Sequence, residues 1–105
     1  RPGFERKDMD VYSTVMIPFT TAVLGGEAVV QTLTGRVVCK INPGTQSGTK
    51  IRLKGKGIVS MKDAGRYGDQ YVTVQIDVPK NLSNEAKRKL KEFEAACKNG
   101  SRGAA

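Results

Sequence analysis

The sequence predicts an all-β domain of two small packed sheets, with one short helix among the strands and one amphipathic helix at the C-terminal end. Three observations lead there. Apolar residues alternate with polar ones through most of the chain, the pattern of half-buried strands. Proline and glycine punctuate those runs where turns are needed. After Pro79 the apolar spacing lengthens to alternating threes and fours, the period of a helix.

The elements follow in order. Residues 1–9 are polar and mixed in charge and read as a linker entering the domain. The β-domain proper spans 10–80, a candidate dimerisation helix 81–98, and a disordered tail 99–105. In Asp10–Ile17, Val11, Ser13, Val15 and Ile17 share one strand face, and Tyr12, Thr14 and Met16 share the other. Pro18 ends that run because it has no amide to donate. Phe19–Gly26 reads as a short helical turn, stopped by Gly25 or Gly26 in a left-handed conformation. Glu27–Leu33 and Arg36–Ile41 are β-rich runs on either side of Thr34-Gly35, a hairpin signal. Asn42–Gly48 is turn chemistry throughout. The next strand is Thr49–Gly55, with Ile51 and Leu53 inward and Lys50, Arg52 and Lys54 outward. A loop then leads to the longest strand, Gln70–Val78, with Val72, Val74, Ile76 and Val78 on one face. Beyond Pro79, Ser83 caps a helix whose stripe is Ala86, Leu90, Phe93 and Cys97. Glu85 with Lys89, and Glu94 with Lys98, are ordered as favourable helix ion pairs.

Composition narrows the function. At 105 residues the chain is one domain, and because it opens at Arg1 without an initiator methionine it is expected to be a piece of something longer. No apolar run approaches the roughly 20 residues of a membrane span. The net charge of +8 permits nucleic-acid or acidic partners without establishing either. Histidine is absent and the cysteines are only Cys39 and Cys97, so a zinc site of about four ligands is excluded and no cofactor is expected. In a reducing cytoplasm both thiols are expected free, a single disulfide being the alternative. Without histidine the usual serine or cysteine triad cannot form, and no carboxylate pair stands in a pocket signature. The chain is not expected to be an enzyme.

The stretch Asn42–Gly57, NPGTQSGTKIRLKGKG, looks like a phosphate cradle and fails both tests for one. A P-loop needs serine or threonine after Gly55-Lys56, where Gly57 stands; a dinucleotide fingerprint needs glycine at Ser60. Its glycines read as turn residues flanking a strand. Lys50, Arg52 and Lys54 either track a phosphate backbone or form a solvated strand face, and no aromatic cluster lies near them in sequence to stack bases. Val15, Ile17, Ala28, Val30 and Thr32 either line apolar pockets beside a sheet edge, to which an extended peptide adds as a strand, or simply face the core.

Together these motifs resemble a family. GRVVCKINPGTQSGTKIRLKGKGIV and GDQYVTVQIDVPKNLSNEAKRKLKEF, with AVLGGEAVVQTLTG before them, are similar to the C-terminal half of DnaJ-type J-domain co-chaperones. The likeness runs from about Phe4 to Phe93 and suits the second of that half's two tandem β-domains. It implies a non-catalytic module that binds unfolded polypeptide by strand addition and works with a DnaK-type chaperone. The family's groove positions fall on Val15, Ile17, Ala28 and Val30. Its dimerising segment falls on Leu90, Phe93 and Cys97, and contact with the partner chaperone's acidic tail falls on Lys50, Arg52 and Lys54. The His-Pro-Asp loop and the CxxCxGxG zinc repeats are absent from this sequence. The implied partners are unfolded clients, a DnaK-type chaperone and a second copy, with no membrane and no specific nucleic acid. The rival readings are a basic nucleic-acid-binding β-domain and a purely structural dimerisation module.

Overall fold

The computed structural model describes residues 3–63 and 65–104. Among the described residues six strands and two helices are formed: β1 (Glu5–Lys7), β2 (Asp10–Pro18), α1 (Phe19–Leu24), β3 (Gly26–Thr32), β4 (Gly35–Ile41), β5 (Lys50–Leu53), β6 (Gln70–Asp77) and α2 (Asn84–Ala104). One sheet has the order β1-β2-β6-β5; the other is the β3–β4 hairpin. The architecture is the expected pair of small sheets. β2 and β6 run parallel and in register from Val11↔Gln70 to Pro18↔Asp77, and the remaining pairs are antiparallel.

The core lies between the sheets. Ile17, Ala22, Ala28, Ile41 and Val74 form one cluster, and Val30, Cys39 and Val72 a second, with Val15 and Ile51 packed against both. Burial alternates along every long strand because successive side chains point to opposite faces. Val78, expected on the inward face, lies beyond the end of β6 and is exposed. Cys39 is buried and Cys97 exposed, and both are free thiols. Burial pushes the Cys39 thiol up from its ordinary value.

Residues 5–7 are not linker. They pair with Asp10–Tyr12 as β1, turning through Asp8, whose φ is 57°. All three side chains are exposed, so no apolar alternation marked the strand. Arg1 and Pro2 of the expected linker lie outside the described residues, as does Ala105 of the expected tail. The rest of that tail continues α2 to Ala104. Gly100 and Gly103 both fall within it; an interior glycine costs about 1 kcal/mol relative to alanine, which weakens a helix without ending it. At the other end Ser83 caps as expected, its hydroxyl accepting from the Ala86 amide at 3.1 Å. The helix ion pairs centre on Arg88, with Glu92 at 3.0 Å and Glu85 at 3.9 Å, rather than on the two lysine pairs expected. No helix is long and apolar enough, among the described residues, to cross a membrane.

A polar corner fastens the β1–β2 turn to the start of β6. The Ile58 amide donates to the Met9 carbonyl at 2.7 Å, and Val11 donates to the Asp69 carbonyl at 3.0 Å. The Asp69 amide donates to Asp10 Oδ1 at 2.8 Å. The Asp69 carboxylate accepts from the Gly55 amide at 2.9 Å and from Arg52 Nε at 2.7 Å. The Gly55 amide, and then Arg52, hold its carboxyl below the ordinary carboxylate value. An acid depressed in the folded state contributes stability that is complete above its unfolded pKa of about 3.9 and is lost as pH falls through the folded value. Asp69→Asn is therefore expected to lower the melting temperature at pH 7 and to cost progressively less below about pH 4. Thermal melts of both proteins across that range check this; an equal deficit at both ends would contradict it.

Candidate functional site

Two strand edges face each other across one cleft. β2 is flanked by β6 on one side, but β1 covers its other side only at Asp10–Tyr12. From Ser13 to Pro18 that edge has no strand partner among the described residues. β3 likewise pairs only with β4 among the described residues. Between these edges lies a cleft of about 310 Å³, lined by Ser13–Met16 from β2, by Val29–Gln31 from β3, and by Gly3 and Phe4. Consecutive residues line each wall, so backbone edges as well as side chains front the space.

The direction of the backbone groups follows from the observed bonds. Val11 donates its amide toward the β6 side, to Asp69. With a period of two, Ser13, Val15 and Ile17 also address β6, whereas Thr14 and Met16 turn their amides and carbonyls to the open edge. On β3, the Gln31 carbonyl faces outward from the hairpin and accepts from Gln70 Nε2 at 3.0 Å. The same period puts the backbone groups of Val29 and Glu27 on that edge. Gln70 is fully buried, and its Nε2 also donates to Ser13 Oγ at 2.9 Å, bridging the two sheets. Its Oε1 has no hydrogen-bond partner among the described residues.

Of the four residues expected to line a groove, the structure brings Val15 and Val30 together at this cleft and withholds the other two. Ile17 and Ala28 belong to the core, and the cleft does not reach them. Val30 is itself only 3% exposed, so it floors the cleft rather than standing open in it. The exposed apolar side chains beside the cleft are their neighbours on the opposite faces, Met16 at 59% and Val29 at 58%. Periodicity selected the inward face correctly. What it could not show is that the accessible chemistry of an edge lies in the backbone and in the outward residues.

A second apolar surface lies where α2 meets α1. Phe93 packs edge-to-face on Phe19 with ring centroids 6.4 Å apart. A groove of about 370 Å³ runs between the helices, lined chiefly by Phe19, Val23, Leu24, Ala86, Leu90 and Phe93. Leu90 and Phe93 are each 44% exposed, and Cys97 follows them on the helix. Helical spacing marks the α2 half of this surface but not the α1 half, since Phe19 and Leu24 sit on a helix too short to show a stripe.

The basic row is less than expected. Lys50 and Arg52 are on β5, Lys54 falls in the turn after it, and Arg52 is bound to Asp69 at 2.7 Å. An aromatic pair remote in sequence stands beside it in space: the register lines up Glu5, Tyr12, Tyr71 and Arg52 across the outer sheet face. The two tyrosine rings stack on each other at 5.3 Å. Along this register line Glu5 and Asp69 offset Arg52, which disfavours a phosphate backbone over the two tyrosines. Among the described residues no three metal-ligating side chains gather.

The chain matches the DnaJ C terminal domain family over residues 1–79. It belongs to that family. Its curated relatives include the chaperone protein DnaJ of Lachnospira eligens, 46% identical over 93 residues, which are 89% of this chain and 25% of that protein. The chaperone protein DnaJ of Dichelobacter nodosus is 48% identical over 99 residues, covering 94% of this chain and 26% of the relative. That of Clostridium beijerinckii is 48% identical over 93 residues, covering 89% and 24%. The chain thus spans about a quarter of the length of the curated relatives it matches.

In this DnaJ C-terminal domain the glycine motifs serve turns and close packing. Gly44, Gly48 and Gly55 have φ of 81°, 91° and 76°, the turn role expected of them. Gly57 does not have positive φ, and its part in the polar corner is steric: a Cβ there would lie 2.6 Å from the Asp69 nitrogen.

Proposed function

We propose that this DnaJ-family domain is a non-catalytic co-chaperone module that takes up unfolded polypeptide by strand addition at the β2–β3 cleft. The observation that supports this best is the pair of facing, unpaired strand edges over a partly apolar floor. An extended client supplies the missing backbone partners of Thr14 and Met16, or of Glu27 and Val29, and packs alternate side chains toward Val15 and Val30. Backbone groups carry most of the interaction, so its demand on client sequence is loose, which suits a module that must hold many unfolded chains. Fluorescence anisotropy of a labelled, permanently unfolded polypeptide tests the reading. The domain is expected to raise the anisotropy, and an oligonucleotide of similar length is expected not to. The reverse pattern would favour a nucleic-acid module.

The helix surface supports a second part of the same reading, a homodimer through Leu90, Phe93 and Cys97, with Phe19 and Leu24 completing the patch. Two weak client sites on one dimer then act together, raising avidity without any new contact. Leu90→Glu combined with Phe93→Glu is expected to convert the dimer to monomer in sedimentation velocity while leaving the sheet fold intact. A wild-type protein already monomeric at high concentration would contradict this. Delivery of clients to a DnaK-type chaperone, through Lys50 and Lys54 facing an acidic tail, completes the proposal. Arg52 has less to offer such a tail, being held by Asp69.

A further inference from the structure

We infer that Phe4 is a specificity-determining residue at the closed end of the β2–β3 cleft, where it selects clients carrying a bulky apolar side chain at one terminus of the added segment. The inference rests on the strand-addition reading above and sharpens it. β1 occupies the β2 edge as far as Tyr12, with Glu5 opposite Tyr12. The preceding residue, Phe4, comes opposite Ser13, at the point where the edge becomes free. Phe4 is half-buried and lines the cleft together with Val30 and Gln31 of the other sheet. At the same end Gln70 bridges Ser13 Oγ and the Gln31 carbonyl, removing an edge acceptor that a guest would otherwise use.

An added strand therefore cannot run the full length of β2. It begins beside Phe4 and extends past Thr14 and Met16 toward Pro18, where the ladder stops because proline has no amide. The guest residue nearest the wall has an aromatic ring on one side and Val30 beneath it. Apolar contact there adds a side-chain preference to a site whose remaining affinity comes from the backbone.

The test uses short blocked peptides of alternating valine and serine, in three forms: leucine at the amino end, leucine at the carboxyl end, and alanine at both. Binding is measured by anisotropy to wild type, Phe4→Ala and Met16→Pro. Phe4→Ala is expected to weaken one of the two leucine peptides about tenfold and the alanine peptide less than about twofold; which leucine peptide responds also gives the polarity of the guest. An equal response of all three overturns the assignment to Phe4. As a measurement that needs no variant, a photocrosslinking residue in place of each leucine is expected, for one peptide, to label Phe4 or its neighbours in the wild-type protein. Labelling confined to the Pro18 end overturns the inference. If wild type binds none of the peptides, or if Met16→Pro leaves binding unchanged, strand addition at this edge is wrong and the role of Phe4 falls with it. Binding that is sensitive to Met16→Pro but uniformly affected by Phe4→Ala defeats only the inference.

Discussion

Met16→Pro is expected to leave the domain folded and to weaken capture of an unfolded client by at least about tenfold, the loss of roughly one backbone hydrogen bond plus the steric block of a proline ring. The substitution acts on the edge alone. Met16 points its side chain to solvent, and its amide is on the side of β2 away from β6, so neither the core nor the parallel ladder depends on it. Edge strands tolerate proline where the amide faces outward. Ile17→Pro, one residue on, is the contrasting control: it removes a donor directed at β6 and a side chain packed in the core, and is expected to unfold the protein. Aspartate at Val30 would be a poor probe, because a charge at a site 3% exposed tests stability before it tests binding. Unchanged capture by a folded Met16→Pro protein would move the client away from this edge.

The second large effect is on stability. Gly68→Ala is expected to destabilise the domain by about 3 kcal/mol, lowering the melting temperature by about 15 °C for a domain of this size. A Cβ on Gly68 would overlap the Met9 carbonyl and come within 2.8 Å of Asp10 Oδ1. Both partners are held: the Met9 carbonyl accepts from Ile58, and Asp10 Oδ1 accepts from the Asp69 amide. Relief of the overlap must break one of these bonds or shift β2 against β6. Gly65→Ala is the control, since the nearest atom to its Cβ would be Asp63 Oδ1 at 3.8 Å, and it is expected to change stability by less than about 0.5 kcal/mol. Equal melting temperatures for Gly68→Ala and wild type would show that the corner is not packed as described.

These two sites mark the boundary of what was legible beforehand. The alternation in Asp10–Ile17 and Gln70–Val78 specified the faces of β2 and β6, because a period of two is a local property. That the two strands lie side by side and parallel is not local, and nothing in either stretch announces it. The turn glycines at 44, 48 and 55 were legible from their surroundings. Gly57 and Gly68 were not, because what excludes a side chain there is the Met9 region, distant in sequence. The dimer candidates on α2 were visible from helical spacing, whereas their α1 complement required the fold. The cleft was half visible: Val15 and Val30 followed from the inward period, but its open edges and Phe4 depended on how far β1 extends, and three exposed residues leave no apolar pattern.

Amide hydrogen exchange, resolved by residue, with and without a saturating extended peptide, puts the central claim to its most direct trial. Strand addition at the open edge predicts that the Thr14 and Met16 amides, or those of Glu27 and Val29, become strongly protected when peptide binds, while Val15 and Ile17, already bonded to β6, change little. Bound peptide with no added protection at either edge would contradict the account.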